Sequence, residues 1–188
     1  MDQKSIVELL ARSALFGSLE AQDRTAIAAR MRRVQFEPDQ MIFSRGDPGR
    51  EIYLVIEGRI RLSVLSSDGR ELSFDHAGPG NVFGEIATLD GGERTAGATA
   101  ISRVEAMLLP QRALAELIET NPKVADAAIR FLCSRLRETD QRLEAIALHR
   151  IEVRLARLMI SALKLQSPGI KGGKVPLDLG MSQSELAL

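Results

Sequence analysis

Apolar residues follow two different spacings along this chain, and the change between them marks its organisation. Over residues 4–33, Ile6, Leu9, Leu10 and Ala14 recur at helical spacing. After "SLEAQD", Ile27, Ala28 and Met31 do the same, so two short helices are predicted. From Val34 the period falls to two. In "EIYLVIEG" and "RIRLSVL", Ile52, Leu54 and Ile56, then Ile60, Leu62 and Val64, share one face. Arg59, Arg61 and Ser63 take the other, the pattern of strands buried on one side. Turn signals punctuate this region: "RGDPGR", "EGR", "SSDGRE", "AGPGN" and "DGGER". The Asp68-Gly69 pair between two alternating runs predicts a hairpin, because glycine accepts the positive φ of a tight turn. Many short strands closed by such turns point to a compact antiparallel barrel or sandwich over residues 35–110.

Pro110 ends the strands, and helical spacing returns. From Ile129 a seam runs through Leu132, Leu136, Thr139, Leu143, Ile146, Arg150 and Val153 in alternating steps of three and four. Arg130, Arg137, Glu138, Arg142 and Glu144 fall outside it. A helix that merely packs on the barrel would need a shorter stripe, so a parallel helix pair joining two subunits is the better account. Thr139 breaks the apolar seam, with Asp140 beside it. Its hydroxyl either bonds back to its own helix or meets a ligand lying against it. Beyond Ala162, "KVPLDL" is strand-like, and Ser182 with Glu185 has the spacing of a capped helix start. The sequence reads as stopping inside a second domain.

Composition narrows the function. A hydrophobic fraction of 45% fits a globular domain, and 25 Lys+Arg balance 25 Asp+Glu, so no global field announces nucleic acid or membrane. The single cysteine, Cys133, excludes an intrachain disulfide and an iron–sulfur cluster. With two histidines on different elements, neither a metal site nor a nucleophile–base pair emerges, so no catalytic residue, metal ligand or resident cofactor is assigned. The amphipathic, charged N-terminus is unlike a signal peptide, and no apolar run approaches a membrane span. A cytoplasmic protein is expected.

The chemistry concentrates in "FGEIATLDGGERTAGATA", residues 83–100. A Gly-Glu opening a short helical turn over residues 85–89 offers backbone N–H groups to an anion. Arg94, returned by the Gly91-Gly92 turn, adds a cation suited to phosphate, and Thr95 adds a hydroxyl. Glu85 would repel a phosphate but can accept from a sugar hydroxyl. A cyclic 3′,5′-phosphate, with one negative charge beside a free 2′-OH, fits both demands. The surrounding Gly and Ala allow close backbone approach. An ordinary surface Glu85–Arg94 ion pair is the alternative.

"FGEIATLDGGERTA" resembles the phosphate-binding cassette of cyclic-nucleotide-binding domains. "LFGSL", "IYLVIEGRIRL", "GPGNVFGEIA", "NPKVADAAIRFLCSRL" and "VPLDLGMSQSELAL" extend the resemblance to the catabolite-activator (CRP/FNR) family of bacterial transcription regulators. It implies an α+β fold: an antiparallel, jelly-roll-like β-roll with flanking helices at residues 1–120, a dimerisation helix at 121–150, and an incomplete winged helix-turn-helix at 151–188. It implies that Gly84, Glu85, Arg94 and Thr95 hold ribose and cyclic phosphate, with Ile86, Ala87 and Ala96 lining them. Phe74 would wall the purine, Arg135 would brace Glu85, and Thr139 and Asp140 would meet the base. The implied effector is cAMP or cGMP, and the implied partner is a second copy joined through residues 125–153. DNA and RNA polymerase would engage the full-length parent, since the recognition helix is missing here. Asp140 departs from the small hydroxyl residue expected beside Thr139, which leaves base preference open. Rival readings keep the fold: another anionic effector, a haem or gas sensor using His76, His149 or Cys133, or a ligand-free dimeric module.

Overall fold

A computed structural model describes residues 3–66, 69–148, 156 and 159–163. The expected strand at "KVPLDL", the helix start at Ser182 and Glu185, and the seam positions Arg150 and Val153 lie outside the described residues, as does the side chain of Ile146. The chain divides into two units, Met1–Leu132 and Cys133–Leu188.

In the first unit, α1 (Gln3–Arg12) and α2 (Ala21–Ala28) precede eight strands: β1 (Arg32–Phe36), β2 (Met41–Phe43), β3 (Glu51–Glu57), β4 (Ile60–Leu65), β5 (Glu71–Ala77), β6 (Val82–Phe83), β7 (Gly97–Ala100) and β8 (Val104–Pro110). A short helix, α3 (Glu85–Asp90), lies between β6 and β7, and α4 (Gln111–Thr120) follows β8. The long helix α5 (Pro122–Leu148) follows α4 and continues into the second unit. The strands form two antiparallel four-stranded sheets, ordered β1-β8-β3-β6 and β2-β7-β4-β5, the jelly-roll-like arrangement expected.

One expectation is corrected at β3. Its apolar residues do not share a single buried face, because the strand is covered on both sides. Ile52 and Leu54 join Met107 and Leu109 of β8 in a cluster with the helices, together with Leu10, Phe16, Ile27, Leu114 and Phe131. Tyr53 and Val55 point the other way, joining Phe43, Ile60, Phe83, Ala98, Ala106 and Leu108 in a second cluster. Alternate residues of a strand face opposite sides, so β3 and β8 serve both cores and read as continuous apolar runs. Each fully buried side chain here is worth about 1.5–3 kcal/mol, and truncating Leu54 to Ala would cost about 2–5 kcal/mol.

Two smaller expectations also change. Ala14 is exposed, because α1 has already ended. A turn follows in which the buried Ser13 hydroxyl donates to Leu10 O and accepts from Phe16 N–H, sending Leu15 and Phe16 inward. Ser63, expected outward, is buried: its hydroxyl donates to the Glu71 carboxylate at 2.5 Å, and Arg61 Nε shares that oxygen at 3.2 Å.

The α4–α5 junction is held from below. Asn121 Oδ1 accepts the Lys123 N–H at 3.1 Å, capping α5, while its Nδ2 donates to Asp23 Oδ1 of α2 at 2.8 Å. Next to it, Lys123 pairs with Glu20 on the surface.

Candidate functional site

The cassette begins where β6 ends. Gly84 takes the left-handed conformation (φ 77°), and a Cβ there would stand 2.6 Å from Arg94 Nη1, so both backbone and space demand glycine. α3 follows and ends at Asp90, whose Oδ1 accepts the Gly92 N–H at 2.8 Å to tighten the return turn. The chain then runs to Arg94 and enters β7, so the cassette carries it from one sheet to the other.

A second segment braces this turn. Residues 44–50, "SRGDPGR", run against it: Arg94 N–H donates to Asp47 O at 2.8 Å, Gly46 N–H to Arg94 O at 2.9 Å, and Gly49 N–H to Gly92 O at 3.2 Å. Gly49 lies against α3 so closely that a Cβ would fall 2.1 Å from the Ala87 Cβ. The two small residues set how near the loop and helix can come. In the sequence this loop reads only as a turn signal.

Arg94 is the centre of the site. Its side chain is buried, and the guanidinium lies 4.1 Å over the Phe43 ring. Nη1 donates to Gly84 O at 2.7 Å and Nη2 to Glu51 O at 2.9 Å, with the Glu51 carboxylate 3.5 Å away. Nε is buried without an acceptor. Burial pushes the guanidinium below its ordinary pKa, opposed by Tyr53, Glu51, Asp47 and Glu85 in that order, yet an arginine stays charged throughout the biological range. The outcome is a fixed, buried cation whose Nε–H is unanswered.

Glu85 is also buried, at the first position of α3. The exposed ion pair weighed as an alternative is therefore not what the fold builds, since both side chains are inside. Thr88, one turn on, is buried, and its hydroxyl donates to Gly84 O at 2.8 Å. Ala87 and Ala96 are buried, whereas Ile86 and Thr95 are exposed. Phe74 is exposed on β5 and sits in a bulge: Leu62 pairs with Asp75 and Ser63 with Ser73, leaving Phe74 as the extra residue. A bulge re-aims a side chain, and none was legible in the alternation.

Arg135, Thr139 and Asp140 belong to the second unit. There Arg135 Nη1 lies 3.7 Å from Glu138 Oε2, and the Thr139 hydroxyl donates to Arg135 O at 2.9 Å, the back-bonded geometry. That bond uses the hydroxyl's proton and leaves its lone pairs able to accept. Of the seam positions, Ile129, Leu132, Leu136 and Leu143 are exposed in the single chain, while Val124, Ala127, Ala128 and Phe131 enter the core.

Sequence reasoning missed Phe43, Glu51 and Gly49. Glu51 acts chiefly through its backbone carbonyl, which no side-chain pattern reveals. Among the described residues no group of three or more His, Cys, Asp or Glu could hold a metal ion, and no helix is long and apolar enough to cross a membrane.

The cassette lies within a segment that matches a known family. Residues 33–121 match the cyclic nucleotide-binding domain family. The CRP-like cAMP-activated global transcriptional regulator of Mycobacterium tuberculosis is 29% identical over 180 residues, covering 96% of this chain and 80% of the relative. The cyclic AMP receptor protein of Thermus thermophilus is 32% identical over 152 residues, covering 81% of this chain and 70% of that one. The crystal structure of the Thermus thermophilus catabolite activator protein superposes with a TM-score of 0.66 at 33% identity, over 84% of this chain and 73% of that chain.

Proposed function

From the premise that this chain belongs to the CRP/FNR family of transcription regulators and carries a cyclic nucleotide-binding domain, we propose that it binds cAMP and acts as a homodimer. The observation that carries the reading is Arg94: a buried guanidinium fixed by two carbonyls, with a buried Nε–H that has no acceptor. A buried charged donor left unmade is costly, and an anionic oxygen relieves it.

In this reading Arg94 meets the cyclic phosphate, helped by the Thr95 hydroxyl, and the buried carboxylate of Glu85 accepts the ribose 2′-OH. Gly84, Ile86, Ala87 and Ala96 shape the cassette around them. Phe74 covers one face of the purine, Arg135 braces Glu85, and Thr139 and Asp140 meet the base edge. Thr139 already donates to its own helix, so toward a base it is an acceptor, suited to the amino group of adenine or of guanine. The names of the two relatives support cAMP over cGMP.

The exposed row Ile129, Leu132, Leu136 and Leu143 supports a helix pair between two copies. Nucleotide between cassette and helix would bias two arrangements of that pair. Residues 151–188 would contribute to a DNA-binding domain that reads two half-sites, with polymerase as a further partner.

Calorimetric titration with cAMP, cGMP and 2′-deoxy-cAMP tests the reading, and suits a chain with no Trp and one Tyr. Saturable binding of cAMP, weakened by removal of the 2′-OH, is expected. Absence of heat with every nucleotide would overturn it. Glu85→Gln should compress the discrimination against the deoxy analogue, and unchanged discrimination would remove the ribose role of Glu85.

A further inference from the structure

Pro110 closes β8 and has no N–H to offer, so Gln111 is the first residue of α4 with a backbone donor. It makes two bonds outside its own helix, one to the residue before β3 and one to α3. Its backbone N–H, one of the donors a helix start leaves without an internal partner, goes to Arg50 O at 2.8 Å. Its side-chain amide Nε2 donates to Thr88 O at 3.2 Å. Thr88 lies in the last turn of α3, where carbonyls lack intrahelical donors, so the Gln111 amide answers an orphan.

Each of those two acceptors is one step from a carbonyl that holds Arg94. Arg50 adjoins Glu51, whose carbonyl receives Arg94 Nη2 at 2.9 Å. Thr88 is joined through its hydroxyl to Gly84 O, which also receives Arg94 Nη1 at 2.7 Å. A continuous set of bonds thus runs from the guanidinium, through Gly84 and Thr88, to the side chain that opens α4. Apolar packing alone would let α3 slide over α4; a directional bond from Gln111 to a backbone carbonyl fixes their relation.

We infer that Gln111 is a positioning residue that makes α4 follow α3, so that occupation of the cassette at Arg94 is felt in the helix leading to the α5 cap at Asn121. The inference rests on the nucleotide reading above. It assigns no ligand contact to Gln111 itself.

Amide hydrogen exchange, measured on the chain with and without cAMP, tests it. In the unsubstituted chain cAMP should slow exchange in α3 and over residues 115–120 of α4. In Gln111→Leu and Gln111→Glu, which lack the donor, cAMP should still slow α3 while the slowing in α4 falls by about 2- to 30-fold. Gln111→Lys, which restores a donor of similar reach, should recover it; equal slowing of α4 in all four proteins would overturn the inference. So would faster exchange throughout Met1–Leu132 in the ligand-free variants with the cAMP effect on α4 unchanged, since Gln111 would then be a stabilising cap alone. If cAMP slows nothing in α3 of the unsubstituted chain, the nucleotide reading fails first, before any variant is considered.

Discussion

Thr88 and Arg94 donate to one oxygen: the threonine hydroxyl reaches Gly84 O at 2.8 Å and the guanidinium reaches it at 2.7 Å. Arg94 follows Gly84 by ten positions, yet α3 and the segment leading into β7 meet on the Gly84 carbonyl. The chain's own carbonyls therefore fix the direction of the cation, which lowers the ordering cost of binding an anion.

Replacing that cation should cost both binding and stability. Arg94→Lys keeps the charge but cannot serve the Gly84 and Glu51 carbonyls together. A loss of about 1–3 kcal/mol in folding stability is expected, with cAMP affinity weakened by at least about tenfold. Chemical denaturation and calorimetry read the two separately. Unchanged affinity would remove Arg94 from the phosphate.

Gly49→Ala tests the close approach of the bracing loop. A methyl group 2.1 Å from Ala87 Cβ must push loop and helix apart. Overpacking of this kind costs about 1–3 kcal/mol, visible as a melting temperature lowered by several degrees. A melting curve identical to the parent's would mean that the two segments are further apart than described.

Tyr53 gives a pH signature. Its ring stacks on Phe83 at 4.8 Å, and burial first, then the Glu51 charge, raise its pKa above the ordinary value, against lowering by Arg94 and Arg32. A raised folded pKa means its stabilising contribution is complete below about pH 10 and is lost as pH rises toward the folded value. As the chain's one tyrosine, it is read directly by ultraviolet absorbance. The titration midpoint should lie above that of the unfolded chain, and Tyr53→Phe should flatten the alkaline fall in stability. A midpoint unchanged by unfolding would contradict the burial.

Leu136→Asp tests the helix pair. Leu136 is 62% exposed in the single chain, so the substitution should leave the monomer's fold nearly untouched. In a dimer it would bury an unpaired charge at a cost of about 3–5 kcal/mol, about two to four decades in the dissociation constant. Sedimentation velocity would then show monomer where the parent sediments as dimer. A monomeric parent would dismiss the seam as an interface.

How much of this was legible varied with the kind of signal. Period changes located the helices and strands, and the glycines at 84, 91 and 92 bounded α3 to within a residue of Asp90. Alternation failed at β3, because a strand sandwiched between two cores has no polar face to alternate with. It also concealed Phe74, since a bulge adds a residue without changing composition. The cassette's residue types were readable, but the orientation of Arg94 was not. Its partners are the carbonyls of Gly84 and Glu51, and a carbonyl belongs to every residue alike.

Phe36, Phe43, Tyr53 and Phe83 contact one another as a ring cluster, and Arg94 rests on Phe43 at its edge. The arginine is thus a keystone of the barrel interior whatever ligand it serves. Selection for folding alone would keep such a position, so persistence of the arginine among descendants of this fold would not by itself mark retained sensing.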